Sequence, residues 1–205
     1  MRQLVASNER NSRLLRRLKR LDRWVCYREA KEDNGVRKKP ARIDQGEVTE
    51  IFYKNIEEWY RYKEAKEIAA KEEEISGIQT IITREGDDFV VVDIDGCIDP
   101  ATGRVDPEAW NLVREANTYA EISQSGTGIH LIFRGDVPNQ GWTAEGDEIE
   151  GEVYDKYAIV ITENHIVGTP FTARKNEKLL DRMYDKYDIQ WREELFDSNF
   201  EYSSV

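Results

Sequence analysis

The sequence predicts an α/β protein of the α+β type, in which helices pack on β-sheet. Segments with helical periodicity alternate along the chain with short runs of β-branched and aromatic residues, the order typical of such folds. The chain has 205 residues, of which 39% are hydrophobic, so it can bury a core without disulfides. It contains no internal repeat and no low-complexity segment. We therefore expect one domain over residues 1–190, followed by an acidic, aromatic tail over 191–205.

Two helices and four strands are predicted in the first half of the chain. A leucine stripe from Leu14 to Leu21 indicates an amphipathic helix whose remaining surface is largely basic. Asp33-Asn34-Gly35 is typical of a hairpin turn, and Asn55 with Glu58 indicates the start of a helix. The predicted helices cover 8–22 and 55–74, and the predicted strands cover 24–28, 36–43, 77–83 and 89–95.

Two helices and four strands are also predicted in the second half. Asp106-Pro107 combines a capping side chain with a first-turn proline, which indicates a helix running to Ala116. A glycine-rich loop joins the predicted strands 119–123 and 129–133. Strands 148–154 and 157–162 predict another hairpin, and a last helix is predicted over 174–187.

Charge is distributed unevenly along the chain. The net charge is −11, yet residues 1–42 carry 14 Lys and Arg against 5 Asp and Glu. An acidic protein with a basic N-terminal arm can still bind nucleic acid locally, because the field at the contact surface decides the interaction. The basic helix within residues 1–23 could form a solvated face or contact DNA through Arg13, Arg16 and Arg17, and the DNA contact is the expectation carried forward.

The apolar runs of the sequence indicate the cellular compartment, and the cysteines indicate whether a zinc site is present. No apolar run reaches the length of a membrane span, and the N-terminus lacks the pattern of a secretory signal. The expectation is a cytoplasmic protein without membrane contact. Cys26 and Cys97 lie in apolar surroundings, which predicts buried, reduced thiols, and two cysteines with two histidines give poor support for a structural zinc site. The chain carries no P-loop motif.

The sharpest local motif is a pair of aspartates at the end of a predicted strand. Three consecutive valines lead into Asp93-Ile94-Asp95-Gly96. Residues i and i+2 of a strand point to the same face, so the carboxylates of Asp93 and Asp95 are expected side by side. Two carboxylates that close repel each other, and a divalent cation is the usual remedy. Enzymes of phosphoryl transfer use such carboxylates to hold two metal ions.

A second motif is the glycine-rich loop itself. Its sequence is Ser123-Gln124-Ser125-Gly126-Thr127-Gly128-Ile129-His130. Small hydroxyl residues and glycines allow backbone N–H groups to turn toward a phosphate. His130 opens the following strand, where its ring can donate to a phosphate oxygen.

A third carboxylate would complete a two-metal site, and it is predicted near the strand at 148–154. Glu152 lies at the start of an apolar stretch and could face Asp93 and Asp95. Glu150 has the same strand parity and Asp155 is close by, so the three acids remain alternatives at this point.

The order of these motifs resembles the catalytic core of the archaeo-eukaryotic primase superfamily, above all the primase–polymerases of phages, plasmids and archaea. The resemblance is sharpest in VVVDIDGCIDPATGRV and TYAEISQSGTGIHLIFRGDVP, within residues 90–138. Weaker likeness over residues 20–187 includes Trp24 to Tyr27, Lys39-Pro40 and Thr162 to His165. The family usually has glycine where this chain has Glu163.

The resemblance implies a fold, a mechanism and a set of site residues. The fold is an RRM-like catalytic sheet joined to a smaller N-terminal α/β unit. The activity is template-directed nucleotidyl transfer by a DNA primase or DNA polymerase in replication, with dNTP or NTP substrates on a single-stranded DNA template. A helicase is the expected partner, in trans or on a further segment. The implied metal ligands for two Mg²⁺ or Mn²⁺ ions are Asp93, Asp95 and Glu152, and the implied nucleotide-binding residues are Ser123, Ser125, Gly126, Gly128, His130, Arg134 and Lys39.

Two other functions remain alternatives for this sequence. A metal-dependent nuclease would need the three acids but not the Ser/His loop. A non-catalytic DNA-binding subunit of replication would need neither, and the intact aspartate pair and His130 argue against it.

Overall fold

The mixed fold predicted from the sequence is confirmed by a computed structural model of the chain. It describes residues 12–32, 35–52, 55–83, 88–137, 149–187 and 189, and within these ranges it contains two antiparallel sheets and four α-helices. The start of the predicted first helix and the predicted tail at 191–205 lie outside the described residues, so the domain boundaries stay predictions.

The first sheet has five strands in the order β3-β2-β1-β4-β9. Helices α1 and α2 accompany it, and a short 3-10 helix precedes α2. The bounds are α1 Arg13–Leu18, β1 Trp24–Glu32, β2 Gly35–Asp44, β3 Glu47–Glu50, the 3-10 helix Ile56–Glu58, α2 Tyr62–Lys71 and β4 Gly77–Ile82. The last strand, β9, spans Tyr157–Ile159 and comes from the second half of the chain. The resemblance implied a unit built from N-terminal residues, and this strand shows that the unit also includes later residues.

The second sheet has four strands in the order β6-β7-β5-β8. The bounds are β5 Phe89–Ile94, α3 Pro107–Ala116, β6 Tyr119–Ile122, β7 Ile129–Arg134, β8 Gly151–Tyr154 and α4 Glu177–Lys186. Helix α3 connects β5 to β6 while β7 lies between them, which is a split β-α-β arrangement. This topology is consistent with the expected RRM-like sheet.

The two faces of the four-stranded sheet bury different partners. Val90, Val92 and Leu131 pack on one side against α3 and α4. Val91 and Ile132 point to the other side and share a core with the leucines of α1 and with β1 of the five-stranded sheet. Because Asp93 is two residues beyond Val91, it projects from this second face, on the side of the five-stranded sheet.

The predicted hairpin over 148–162 is wrong. β8 pairs with β5 in the four-stranded sheet, whereas β9 pairs with β4 in the five-stranded sheet. The chain therefore crosses between the sheets at Asp155 and Lys156. The spacing of two residues that suggested a tight turn fits this crossover equally well.

The predicted helix over 55–74 is interrupted. Tyr60 exchanges two backbone hydrogen bonds with Trp24, with N···O distances of 3.0 and 2.7 Å, and this pairing keeps residues 59–61 extended. Strand β3, which follows the turn at Gln45-Gly46, was not predicted from the sequence. Both turn residues have positive φ, 49° and 88°, as expected of a two-residue hairpin turn ending in glycine.

Two further sequence predictions concern membrane-spanning segments and the state of the two cysteines. None of the described helices is long and apolar enough to cross a membrane. Cys26 and Cys97 are buried and form no disulfide, as predicted.

Candidate active site

Four titratable side chains form one row across the four-stranded sheet. Glu121 of β6 lies opposite His130 of β7, His130 lies opposite Asp93 of β5, and Asp93 lies opposite Glu152 of β8. Directly opposed residues of antiparallel strands share a face, with Cβ atoms about 4.5–5.5 Å apart. Asp95 follows directly after β5, and its N–H donates to the carbonyl of Glu150 at 2.9 Å.

The register separates the three candidates for the third acid. Glu152 is the residue paired with Asp93. Glu150 is exposed and meets Asp95 through its backbone. Asp155 is only 3% exposed and lies in the crossover between the sheets. Of the three, Glu152 is therefore the acid that the sheet brings beside Asp93.

Burial and neighbouring negative charge raise the pKa values of Glu152 and Asp95. Desolvation by burial raises the pKa of Glu152 to about 7, and the charges of Asp93 and Asp95 add to the effect. Desolvation also raises the pKa of Asp95 to about 6, with Asp93 as the next cause. The positive charge of Lys38 acts on the pKa of Asp95 in the opposite direction, so β2 brings a cation within electrostatic reach of the acids.

His130 lies between two carboxylates and is only 4% exposed. Its Nδ1 is 3.1 Å from Oε1 of Glu121, and its Nε2 is 3.5 Å from Oδ2 of Asp93. Burial lowers the pKa of His130, but the hydrogen bonds with Asp93 and Glu121 outweigh burial and raise it overall. The ring therefore supplies positive charge in the middle of an acidic row.

The donor chemistry of the row fits a hard divalent cation. Carboxylate oxygens are the ligands that Mg²⁺ and Mn²⁺ prefer. Oδ1 of Asp93 is buried and has no hydrogen-bond partner among the described residues. Buried oxygens are normally paired, so this atom points to a missing ligand. As they stand, however, no three His, Cys, Asp or Glu side chains in the described ranges are close enough together to hold a metal ion.

The glycine-rich loop between β6 and β7 is a tight turn held by its own hydroxyl groups. Ser123 Oγ accepts from the N–H of Gly128 at 3.0 Å, and Ser125 Oγ accepts from the N–H of Thr127 at 3.2 Å. A Cβ on Gly128 would lie 2.8 Å from the carbonyl of Ile94 and 2.8 Å from Ser123 Oγ. Only glycine fits there, and Ser125 and Gly126 are left exposed at the tip of the loop.

Arg134 is not brought to the acidic row. Arg134 forms an ion pair with Asp88 and lies over the ring of Phe89, 5.4 Å from its centroid. It is four residues from His130, about 13 Å along β7 at the usual rise of a strand. Lys39 is half-buried on β2, in register with Arg28 of β1.

The three arginines predicted to contact DNA lie on α1, with unequal exposure. Arg13 and Arg16 are exposed. Arg17 is half-buried and lies over the ring of Phe89, with its guanidinium carbon 4.9 Å from the centroid. Leu14, Leu15 and Leu18 are buried on the opposite side of the helix, which confirms that the leucine stripe docks α1 to the protein.

A comparison with curated proteins finds a similar phage protein. The chain is 33% identical over 109 residues to the DNA Primase-polymerase of Nitratiruptor phage NrS-1. The match supports a relationship to primase–polymerases. It covers 52% of this chain and 14% of the relative, so the chain spans only a small part of that protein's length. No protein-family profile matches the chain.

Glu121 was not among the site residues predicted from the sequence. It is 0% exposed, and its carboxylate accepts hydrogen bonds from the Tyr119 hydroxyl and from the N–H groups of Thr162 and Glu163, at 2.9, 3.0 and 3.0 Å. The sequence signal was the single acid in the predicted strand at 119–123, where it lies between Ala120 and Ile122. A charged residue in such a strand is rarely buried without partners.

The segment from Thr162 to His165 lies beside β6. His165 bridges Glu121 through the backbone, and its ring stacks on Phe171 with centroids 4.4 Å apart. Glu163 has a φ of 63°, a left-handed conformation that explains the glycine usual at this position in the resembling family. Its side chain pairs with Lys19 Nζ at 2.8 Å.

Proposed function

We propose that this chain catalyses template-directed nucleotidyl transfer as the catalytic part of a DNA primase–polymerase. The observation that carries the proposal is the row of Asp93, His130 and Glu152 in adjacent strands. Asp95 lies directly after β5, and the Ser/Gly loop joins β6 to β7. The similarity to the phage DNA Primase-polymerase supports the same class of activity.

Asp93, Asp95 and Glu152 would hold the metal ions. Bound Mg²⁺ or Mn²⁺ supplies the positive charge that activates a hydroxyl nucleophile and stabilises the leaving pyrophosphate. Without a cation, desolvation by burial raises the pKa values of Glu152 and Asp95, and repulsion between the carboxylates adds to the effect. Binding of a cation would relieve this repulsion and favour the ionised carboxylates.

The loop and His130 would bind the triphosphate. Ser125 and Gly126 are exposed at the tip of the loop, where a hydroxyl and backbone N–H groups can donate to phosphate oxygens. His130 lies beside Asp93 on the neighbouring strand, so a nucleotide held by the loop would lie next to the carboxylates. Single-stranded DNA is the proposed template, and dNTPs or NTPs are the proposed substrates. A helicase partner stays a prediction of the sequence.

A primer-extension assay tests the proposal. The protein is incubated with a primed DNA template, labelled dNTPs and Mn²⁺, with EDTA as the metal-free control. We expect extension that EDTA abolishes, and loss of nearly all extension in Asp93→Asn and in Glu152→Gln. Glu150→Gln is the matched control, because Glu150 is a nearby but exposed acid, and it should keep its activity.

Each other outcome overturns part of the proposal. Shortening of the primer would indicate a nuclease, and a mobility shift without synthesis would indicate a DNA-binding subunit. Full extension by Asp93→Asn at saturating Mn²⁺ would contradict the assignment of the metal ligands. Loss of activity in Glu150→Gln but not in Glu152→Gln would transfer the third ligand to Glu150.

A further inference from the structure

Glu121 is the one member of the row that has no part in the proposed chemistry. It lies on the edge strand β6, two strands away from Asp93. Its carboxylate is completely buried, although burial of a carboxylate is costly unless both oxygens are satisfied. The structure satisfies them with four polar neighbours, all within 3.1 Å.

Three of these neighbours can only donate to a carboxylate. Oε1 accepts from the N–H of Thr162, and Oε2 accepts from the N–H of Glu163 and from the hydroxyl of Tyr119. The fourth neighbour is Nδ1 of His130, 3.1 Å from Oε1. Since both oxygens act as acceptors, Nδ1 must carry the hydrogen of this contact. That leaves Nε2 as the ring atom on the side of Asp93.

We propose that Glu121 is a positioning residue that fixes the ring orientation of His130, so that Nε2 faces the catalytic carboxylates and the nucleotide. This inference rests on the proposed function, because it gives His130 its task there. A ligand-binding histidine is commonly oriented by a second hydrogen bond from its other nitrogen. Here the orienting group is anchored by the backbone of Thr162 and Glu163.

Glutamine cannot replace Glu121 without conflict. Each oxygen of the carboxylate faces at least one fixed N–H donor. The NH₂ group of a glutamine would therefore face a donor in either orientation of the amide. Glu121→Gln thus perturbs the contact with His130 while it keeps the volume of the side chain.

The first test uses the unmodified protein and needs no activity. The chain has two histidines, so the ring ¹⁵N resonances of His130 can be assigned by comparison with His130→Ala. We expect a protonated Nδ1 whose hydrogen is strongly deshielded, as in a bond to a carboxylate. A His130 ring without hydrogen on Nδ1 would overturn the proposal, even if Glu121→Gln fails to fold.

The second test compares two variants by nucleotide kinetics. Glu121→Gln should shift the ring resonances of His130 and lower kcat/KM for dNTP by roughly ten- to hundredfold, the usual effect of losing a hydrogen bond to a charged group. Tyr119→Phe removes a donor from Glu121 without touching His130, so it should lower the melting temperature but leave the His130 resonances and the KM for dNTP unchanged.

The outcomes separate this inference from the proposed function. Equal loss of stability in the two variants, with unaltered His130 resonances in Glu121→Gln, would show that Glu121 only fastens the segment at 162–165 to the sheet. A protein that does not extend primers, but in which Glu121→Gln moves the His130 resonances, would retain the positioning contact and contradict the polymerase proposal alone.

Discussion

The raised pKa values of Glu152 and Asp95 make the stability of the metal-free protein depend on pH. The pKa of Glu152 rises from 4.5 to about 7 on folding, and that of Asp95 rises from 3.8 to about 6. At pH values between the ordinary and the raised pKa of each group, the folded state therefore binds more protons than the unfolded state. These two groups therefore lower the free energy of unfolding as the pH rises through this window, whereas His165, whose pKa burial lowers from 6.5, contributes in the opposite direction.

We expect the melting temperature in EDTA to decrease steadily from pH 4.5 to pH 6.5. The range ends at the ordinary pKa of His130, 6.5, above which its own raised pKa begins to contribute. Glu152→Gln should flatten the decrease, because glutamine does not titrate. Mn²⁺ should raise the melting temperature most at the upper end of the range. A metal-free melting temperature that rises with pH in wild type but not in Glu152→Gln would contradict the assigned direction.

Glu163 allows a second test at a single residue. Its left-handed φ destabilises the folded state by about 1–2 kcal/mol for a non-glycine residue. The ion pair with Lys19 and the hydrogen bond from Tyr62 offset part of this destabilisation. Glu163→Ala keeps the unfavourable conformation and loses both contacts, whereas Glu163→Gly loses the same contacts and relieves the conformation. We expect the glycine variant to be more stable than the alanine variant by about 1 kcal/mol in urea unfolding. Equal stabilities would show that φ relaxes at little cost.

Among the elements, α1 carries the prediction about the template. Arg13 and Arg16 are exposed on this helix, whereas Arg17 packs on Phe89. Changing all three to Gln keeps helix propensity and removes charge. We expect weaker binding of single-stranded DNA at low salt and a logarithmic salt slope reduced by about 0.7 for each lost phosphate contact.

The double variant of Arg13 and Arg16 is the control for packing at Arg17. It should show most of the loss in DNA affinity but little change in melting temperature. Template affinity and salt slope equal to wild type in both variants would show that α1 only supports the core. DNA contacts would then have to be sought on β2, around Arg37, Lys38 and Lys39.

Local pattern was enough to predict the elements that carry the motifs. β5 and β7 lie where the runs of valine and of Ile129 to Phe133 predicted them, since both strands are nearly continuous apolar runs that are buried on both faces. The row across the sheet was not predictable in the same way, because register is set by tertiary packing. The alternation of side chains along a strand could not distinguish Glu150 from Glu152 as the acid beside Asp93. Nor could it show that Glu121 lies opposite His130. The crossover after Tyr154 was missed for the same reason, since strand pairing is not local.

At the scale of the whole molecule, the two sheets share a core. The cluster around Trp24 and Cys26 of β1 also contains Val91 and Tyr154 of the four-stranded sheet. β9 adds main-chain pairing, because it follows β8 after two residues and completes the other sheet. The hydrophobic stabilisation of one sheet therefore depends on the presence of the other.

We expect a single cooperative unfolding transition for the metal-free protein. Scanning calorimetry should give equal calorimetric and van't Hoff enthalpies. Ile159→Ala, in β9 of the five-stranded sheet, should lower the midpoint of that transition as a whole. Two resolved transitions, only one of which moves in Ile159→Ala, would show that the sheets unfold independently.

The position of β9 in the chain also matters for how the protein is made. During synthesis, β1 to β4 leave the ribosome before β9 does. The edge of β4 at Thr80–Ile82 therefore stays unpaired until Tyr157–Ile159 have been synthesised. Over that interval, an apolar strand presents unpaired backbone groups to any neighbouring nascent chain, and such edges are prone to intermolecular pairing. Yield in cells should therefore respond to the speed of translation through residues 83–160 and to chaperones that shield strand edges.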